Sequence, residues 1–401
     1  MAFANGVGDQ CMENLDLPFR DVMEVLTTIS SCGRNRLTPY QSDVSEPENS
    51  SVIPEHVADE GALVAAAAAG DHEAFRRLVE PIGRELHRFC YRMLGSFHDA
   101  EDVLQEAQVK AWRGLERFDR RATFRTWMYR IVTNATLDAV RSRRRRVLPQ
   151  DLGVARDPTL SLGDQRHDIA WLEPYPDALL ASSDPDADAE ARESVRLAFV
   201  RALQILPARQ RAVLILRDVL DWSAVEVAAA LDTSVAAING ALQRARATVA
   251  DRNVADRYVE RSEAAERDGL DARKAEMAVR YVTAWEAGDI DAIVSMLTED
   301  AIHAMPPWAA WFVGPEALRT VYSSYGIWGD RPGPGLFRIL PAALNGELGF
   351  AEYCRDAPNG PYRALALTVT TLNPAGTHIA EKVSFVRPDL FASMGFPEVL
   401  E

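Results

Sequence analysis

The stretch from Ser223 to Arg246 constrains this chain more than any other. Ser223 and Glu226 have capping-box spacing just ahead of an apolar run, which opens a helix through Val227, Ala228 and Leu231. Asp232-Thr233-Ser234 breaks it, and a second helix is expected from Val235 to Val249 with Ile238, Leu242 and Val249 inward. Two short helices across a tight polar turn make either an ordinary helical hairpin or a helix-turn-helix. In the second case the N-terminal residues of the second helix enter a DNA major groove. Its exposed side chains would be Ala237, Asn239, Gly240, Gln243, Arg244 and Arg246. Asn and Gln can pair bidentately with adenine, and Arg with guanine or phosphate.

A nucleic-acid partner sits awkwardly with a formal net charge of −15, but the charge is uneven. Residues 62–146 carry about six more basic than acidic side chains, ending in Arg141, Arg143, Arg144, Arg145 and Arg146. Residues 151–193 are acidic, with Asp184, Asp186, Asp188 and Glu190 close together. This is the signature of a basic module tethered to non-binding parts. At 401 residues and 47% apolar content the chain suits several packed domains. It has no apolar run long enough to span a membrane and no visible signal peptide, so no membrane partner and a cytoplasmic location are expected. Cys11, Cys32, Cys90 and Cys354 are scattered, which fits a reducing compartment and argues against a metal site.

Along the chain, residues 1–58 read as a disordered extension. A four-helix domain is expected over 62–147. Asp71 caps its first helix and Pro81 starts the second. The third turns Ala100, Val103, Leu104, Ala107, Val109 and Trp112 inward and Asp99, Glu101, Asp102, Gln105 and Glu106 outward, and the fourth runs from Thr123 to about Arg145. Residues 148–190 read as a mostly flexible linker, 191–252 as a second helical module, 253–270 as another linker and 271–395 as an α+β domain. In the last, Leu365, Leu367, Val369 and Thr371 alternate onto one strand face, as do Ile379, Val383 and Phe385.

The fourth helix interleaves aromatics with arginines: Arg125, Trp127, Tyr129 and Arg130, then Asn134, Asp138 and Arg141, with Arg144 just beyond. Such a helix can hold unstacked bases and track a phosphate backbone. Alternatively Phe124 and Trp127 are simply core. The acidic outer face of the third helix is either solvated or docks a basic protein surface.

Asp71-His72-Glu73-Ala74-Phe75, the run Asp99 to Glu106, and Thr126-Trp127-Met128-Tyr129-Arg130-Ile131 with Asn134 resemble the polymerase- and minus-ten-binding domain of extracytoplasmic-function sigma factors. Leu206-Pro207-Ala208-Arg209-Gln210-Arg211-Ala212-Val213-Leu214 and the helix-turn-helix resemble their minus-thirty-five-binding domain. The resemblance implies a sigma factor whose partners are core RNA polymerase, through its β′ clamp and β flap, and promoter DNA. Asp99, Glu101, Asp102, Gln105 and Glu106 would grip the polymerase. Arg125, Trp127, Tyr129, Arg130, Asn134, Asp138, Arg141 and Arg144 would take the melted minus-ten DNA with a flipped base. Many relatives carry arginines where Asn239 and Ala241 stand, so the minus-thirty-five sequence does not transfer.

The tail over 272–390 resembles the SnoaL-like (NTF2-like) α+β cone. The fold class implied is two all-α sigma domains, the second a helix-turn-helix, plus this cone. In the subgroup carrying such a tail, the tail is thought to regulate activity. Trp171-Leu172-Glu173-Pro174 resembles the linker motif on which that tail docks, with Pro and Glu in a different order, so Trp171, Leu172 and Pro174 become candidate tail contacts. Arg387-Pro388-Asp389-Leu390 is close to the subgroup's terminal motif. Cyclases and isomerases share the cone. His303 and Asp300 are the candidate acid–base groups, with Trp308, Trp311, Tyr322, Tyr325 and Trp328 able to line it. No second polar partner stands at suggestive spacing, so no catalytic residue and no cofactor are expected, and a small ligand is the alternative occupant. A helix-turn-helix regulator with a ligand-sensing tail is the competing function. It would need neither the acidic nor the aromatic-basic helix.

Overall fold

The computed structural model describes residues 55–180, 191–250, 267–324, 334–357 and 359–401. The chain divides into Met1–Ser51 and Val52–Glu401, and every described residue lies in the second unit. The expected extension over 1–58, most of the linker at 253–270, the acidic run at 184–190, Tyr325 and Trp328 fall wholly or largely outside the described residues.

Four helices form the first module: α1 (Glu55–Ala68), α2 (His72–Leu94), α3 (Phe97–Gly114) and α4 (Phe124–Ser142). Asp71 caps α2 by accepting the Glu73 and Ala74 N–H groups, Ser96 caps α3 through Asp99 N–H, and Thr123 caps α4 through Thr126 N–H. One expectation is corrected here. Pro81 does not begin a helix but lies inside α2. The proline forfeits one backbone hydrogen bond, and the buried row Leu78, Leu86, Phe89, Cys90 and Met93 holds the helix together across it. Val109 is a second correction. It is 49% exposed, on the outer side of α3 with the acids.

The second module comprises α5 (Leu197–Leu203), α6 (Ala208–Leu214) running into a π-helical turn (Ile215–Val219), α7 (Ala224–Ala230) and α8 (Val235–Ala250). Ser223 and Glu226 form the capping box at α7. The axes of α7 and α8 turn by 103°, within the range of a helix-turn-helix.

The tail follows, with α9 (Arg267–Ala287), α10 (Ile290–Ser295), β1 (Leu297–Ala304), β2 (Trp311–Val313), α11 (Pro315–Ser324), β3 (Phe337–Leu344), β4 (Glu347–Cys354), β5 (Tyr362–Leu372), β6 (Ile379–Phe385) and β7 (Val399–Leu400). The sheet order is β2-β1-β6-β5-β4-β3, with β7 on β5. Only β1 and β6 run parallel among the described pairs.

Both faces of this sheet are buried. One closes over Met277, Tyr281, Trp285, Leu318 and Val321 from the tail's own helices. The other contributes Ala351, Tyr353, Leu367, Val369, Val383 and Phe385 to a core continuous with Leu86, Phe89, Val200, Leu203 and Leu216 of the two helical modules. Two strand faces therefore differ from strict alternation. Leu365 and Ile379 pack with the tail's inner core while Leu367, Val369, Val383 and Phe385 pack outward, because register shifts interrupt β5 at both ends.

Residues 148–180, expected to be a flexible linker, are laid down between these parts. Trp171, Leu172, Glu173 and Tyr175 are each under 5% exposed. Leu172 lies so close to Gly95 that a Cβ there would stand 2.5 Å from Leu172 Cδ2. Gly95 also has a φ of +68° as the C-cap of α2, so the position needs glycine twice over.

Candidate nucleic-acid interface

On α8, Ala237, Asn239, Gln243, Arg244 and Arg246 are exposed and Gly240 is half-buried, while Ile238, Leu242 and Ala245 face the module core. Arg246 is not free, since Asp218 holds it at 2.7 Å. Arg244 has no ion pair among the described residues, which makes it the more available cation.

On α4 the candidates split. Arg130, Asn134, Asp138 and Arg141 form an exposed stripe at three- and four-residue spacing, with Arg141 paired to Asp138 at 2.8 Å. Trp127 is half-buried against Phe118 and Phe124. Tyr129 is fully buried between Phe89 and Trp222 of the second module. Arg125 is tied to Glu85 and lies 5.5 Å from the Trp222 ring. Two of the expected base-contacting residues are thus covered by the other module in this arrangement. Trp222, which the sequence reading passed over, is what covers them.

Glu101, Asp102, Gln105 and Glu106 are exposed on α3. Asp99 departs from them, lying within 3.1 Å of Arg143 and 2.5 Å of Arg146. Arg146 also reaches Glu173 and the Trp171 carbonyl. Arg144 is exposed and donates to the Asp168 carbonyl at 2.7 Å.

The linker's Glu173 is buried among Ser96, His98 and Arg146, at 2.7, 3.2 and 3.5 Å. Burial alone would raise its carboxyl, but the His98 hydrogen bond, the Arg146 charge and the Ser96 hydroxyl outweigh it and hold the group at about 2. His98 is raised in turn, first by its hydrogen bond to Glu173.

Linker and tail meet two residues further on. Asn345, fully buried at the β3–β4 turn, exchanges two backbone–side-chain and backbone hydrogen bonds with Tyr175 (2.9 and 2.8 Å). Its Nδ2 donates to Tyr91 Oη at 2.8 Å and to the Val195 carbonyl at 2.7 Å. One side chain thereby ties the tail to the linker, to α2 and to the approach to α5. Asn345 and Gly346 have φ values of 57° and 71°, the pairing of an Asn-Gly hairpin turn. The expected tail contacts are corrected accordingly. Trp171 bonds within the linker, to the Arg166 carbonyl, Leu172 packs on Gly95, and Tyr175 and Asp177 reach the tail. Upstream, Trp311 Nε1 donates to the Gly153 carbonyl, so this side chain faces the linker, whereas Trp308 bridges Gln165 through its backbone and packs against the tail's inner core.

Inside the cone, His303 contacts Tyr322 Oη at 3.2 Å and Ser384 Oγ at 3.1 Å, and Asp300 is exposed and bound to Thr298 instead. Beside it Lys382 lies 3.5 Å from Glu352 and 4.0 Å from the Trp285 ring, and Tyr281 donates to Glu352 at 2.7 Å. Burial, with the Lys382 charge next, keeps His303 neutral. Lys382 and Ser384 alternate with Val383 and Phe385 along β6, a signal the sequence offered and the reading did not use.

Three segments match known families: residues 78–146 match Sigma-70 region 2, residues 196–249 match Sigma-70, region 4, and residues 278–373 match the SnoaL-like domain. A region 2 and a region 4 in this order define a sigma-type transcription factor. The ECF RNA polymerase sigma factor SigG of Mycobacterium tuberculosis is 41% identical over 331 residues, covering 81% of this chain and 85% of that protein. SigW of Bacillus subtilis is 29% identical over 177 residues, 44% of this chain and 87% of that one. The crystal structure of the M. tuberculosis extracytoplasmic function sigma factor SigJ aligns with a TM-score of 0.48 at 24% identity, covering 80% of this chain and 98% of that one. The chain belongs to the ECF RNA polymerase sigma factors, and it carries a SnoaL-like tail. Among the described residues no single helix is long and apolar enough to cross a membrane.

Proposed function

We propose that this sigma factor rests in a closed form, held by its tail, and opens when it engages core RNA polymerase in the cytoplasm. The observation that carries this is the cover over α4: Tyr129 and Arg125 lie under Trp222 while Asn345 pins the tail across both modules and the linker. In the open form Arg125, Trp127, Tyr129, Arg130, Asn134, Asp138, Arg141 and Arg144 take the melted minus-ten strand. Asn239 and Gln243 read minus-thirty-five bases, with Ala237 and Gly240 allowing close approach and Arg244 and Arg246 on phosphates. Glu101, Asp102, Gln105 and Glu106, with Val109 as an apolar neighbour, form the polymerase-facing surface, and Asp99 joins them once Arg143 and Arg146 move away. The tail acts by docking and not by catalysis. His303 is bound on both ring nitrogens within the cone, and Asp300 is exposed and bound to Thr298.

Two variants test these assignments. Asp102→Arg is expected to lower affinity for core polymerase at least tenfold without changing the melting temperature, because the side chain is exposed. Binding equal to wild type in a pull-down removes α3 from the interface. For DNA, Asn239→Ala should relax preference at one minus-thirty-five position by about 1–3 kcal/mol. Arg244→Ala should weaken binding to all sequences alike and flatten the salt dependence. A uniform loss from Asn239→Ala, measured on a panel of single-base promoter variants, contradicts its role as a base reader.

A further inference from the structure

Where the end of α4 meets the turn between α5 and α6 there is a cavity of about 420 Å³. Its wall carries Arg143, Arg144, Arg145 and Arg146 from the first module and Arg211 from the second, against one carboxylate, Asp99. Asp99 is engaged by Arg143 and Arg146, and Arg144 is held on Asp168, so Arg145 and Arg211 line the space without a carboxylate partner among the described residues. Arg145 is exposed and has no ion pair among the described residues. Arg211 is 4% exposed, donates only to the Met93, Gln204 and Leu206 carbonyls and to Gln204 Oε1, and leaves its Nε buried with no acceptor. Its burial, with the Arg145 charge next, pulls its pKa to about 10. A buried guanidinium with four more gathered around the same opening, three of them exposed, is costly until an anion fills it. Guanidinium forks match phosphate oxygens bidentately, and a group with several phosphates answers several forks at once.

We propose that this cavity binds an oligophosphate group, either inorganic or carried on a nucleotide, and that its occupancy favours the closed form. The first part stands on the cavity, and the second rests on the closed-state reading above. Because the wall comes from both modules, the ligand binds only while they are together, and it shifts the population toward that state by mass action.

The test is calorimetric titration of the full chain with sodium tripolyphosphate, with ATP, and with sulfate at matched ionic strength. Two variants are run beside wild type, Arg145→Ala, which removes no internal contact, and Asn345→Gly, which opens the modules. Saturable tripolyphosphate or ATP binding is expected, and the tighter of the two identifies the source. Loss of one charge-assisted contact should weaken it about tenfold in Arg145→Ala, and Asn345→Gly should weaken it too. No saturable binding, equal binding by sulfate, or an unchanged Arg145→Ala overturns the site. If binding depends on Arg145 but not on Asn345→Gly, the arginines serve a one-module phosphate surface such as the DNA backbone, and the bridging proposal fails. The closed-state reading fails separately, if Asn345→Gly leaves the distance between the modules unchanged.

Discussion

Replacing Asn345 with glycine is expected to release the tail and raise promoter-directed transcription by core polymerase. The substitution keeps the backbone comfortable, since Asn345 sits at φ 57° and glycine accepts that conformation more readily than any other residue. It removes only the side chain. Tyr175 N–H and the Val195 carbonyl then lose their partners in a buried setting, and Tyr91 Oη loses one of two. An unsatisfied buried polar group costs about 1–3 kcal/mol, so docking should weaken by about 2–5 kcal/mol. Hydrogen exchange should lose protection first along 171–177 and at the β3–β4 turn, with α7 and α8 intact. Unchanged protection together with unchanged transcription contradicts Asn345 as the tie.

Glu173→Gln is expected to have an effect of similar size on stability, with a distinct pH signature. The neutral amide leaves His98 without its carboxylate and Arg146 with Asp99 alone, in a site where Glu173 is 4% exposed. Breaking a buried pair from one side costs about 3 kcal/mol. The linkage has a definite sign. The folded carboxyl is held at about 2, below its ordinary 4.5, so its contribution is full above 4.5 and is lost as pH falls through about 2. A shift of that size corresponds to at most about 3 kcal/mol. His98 works the other way. Its folded value is raised, so its contribution is full below 6.5 and fades as pH rises through that raised value. Urea unfolding of wild type and Glu173→Gln should therefore differ by about 2–3 kcal/mol at pH 6–7 and converge toward pH 2–3. A difference that does not shrink on acidification puts the stabilisation elsewhere.

What the sequence revealed follows the range of the interactions involved. The capping box at Ser223, the cap at Asp71, the start of α4 near Thr123 and the exposed faces of α8 and, Val109 apart, of α3 depend on neighbours within a turn or two. They were legible without knowing anything distant. Pro81 misled because the local rule for proline lost to an apolar row on either side of it. Leu365 and Ile379 fell on the unexpected side of their strands because bulges, which carry no compositional mark here, shift the alternation. The linker was least legible. Its Pro- and Asp-rich composition reads as flexible, and it packs only because Gly95, Arg146, Trp311 and Asn345, drawn from three distant parts of the chain, each meet it. The cover of Trp222 over Tyr129 belongs to the same class, a contact across more than ninety residues that no spacing announces.

The central claim is a closed free protein that opens on polymerase, and a distance tests it most directly. Donor and acceptor dyes on Arg121 and Ala229, both exposed and away from the assigned contacts, report the separation of the two helical modules in the full chain. The account predicts a single short-distance population in the free protein, a shift to longer distance when core RNA polymerase is added, and the longer distance already without polymerase in Asn345→Gly. The same distance with and without core enzyme, in a preparation that initiates transcription, would contradict it.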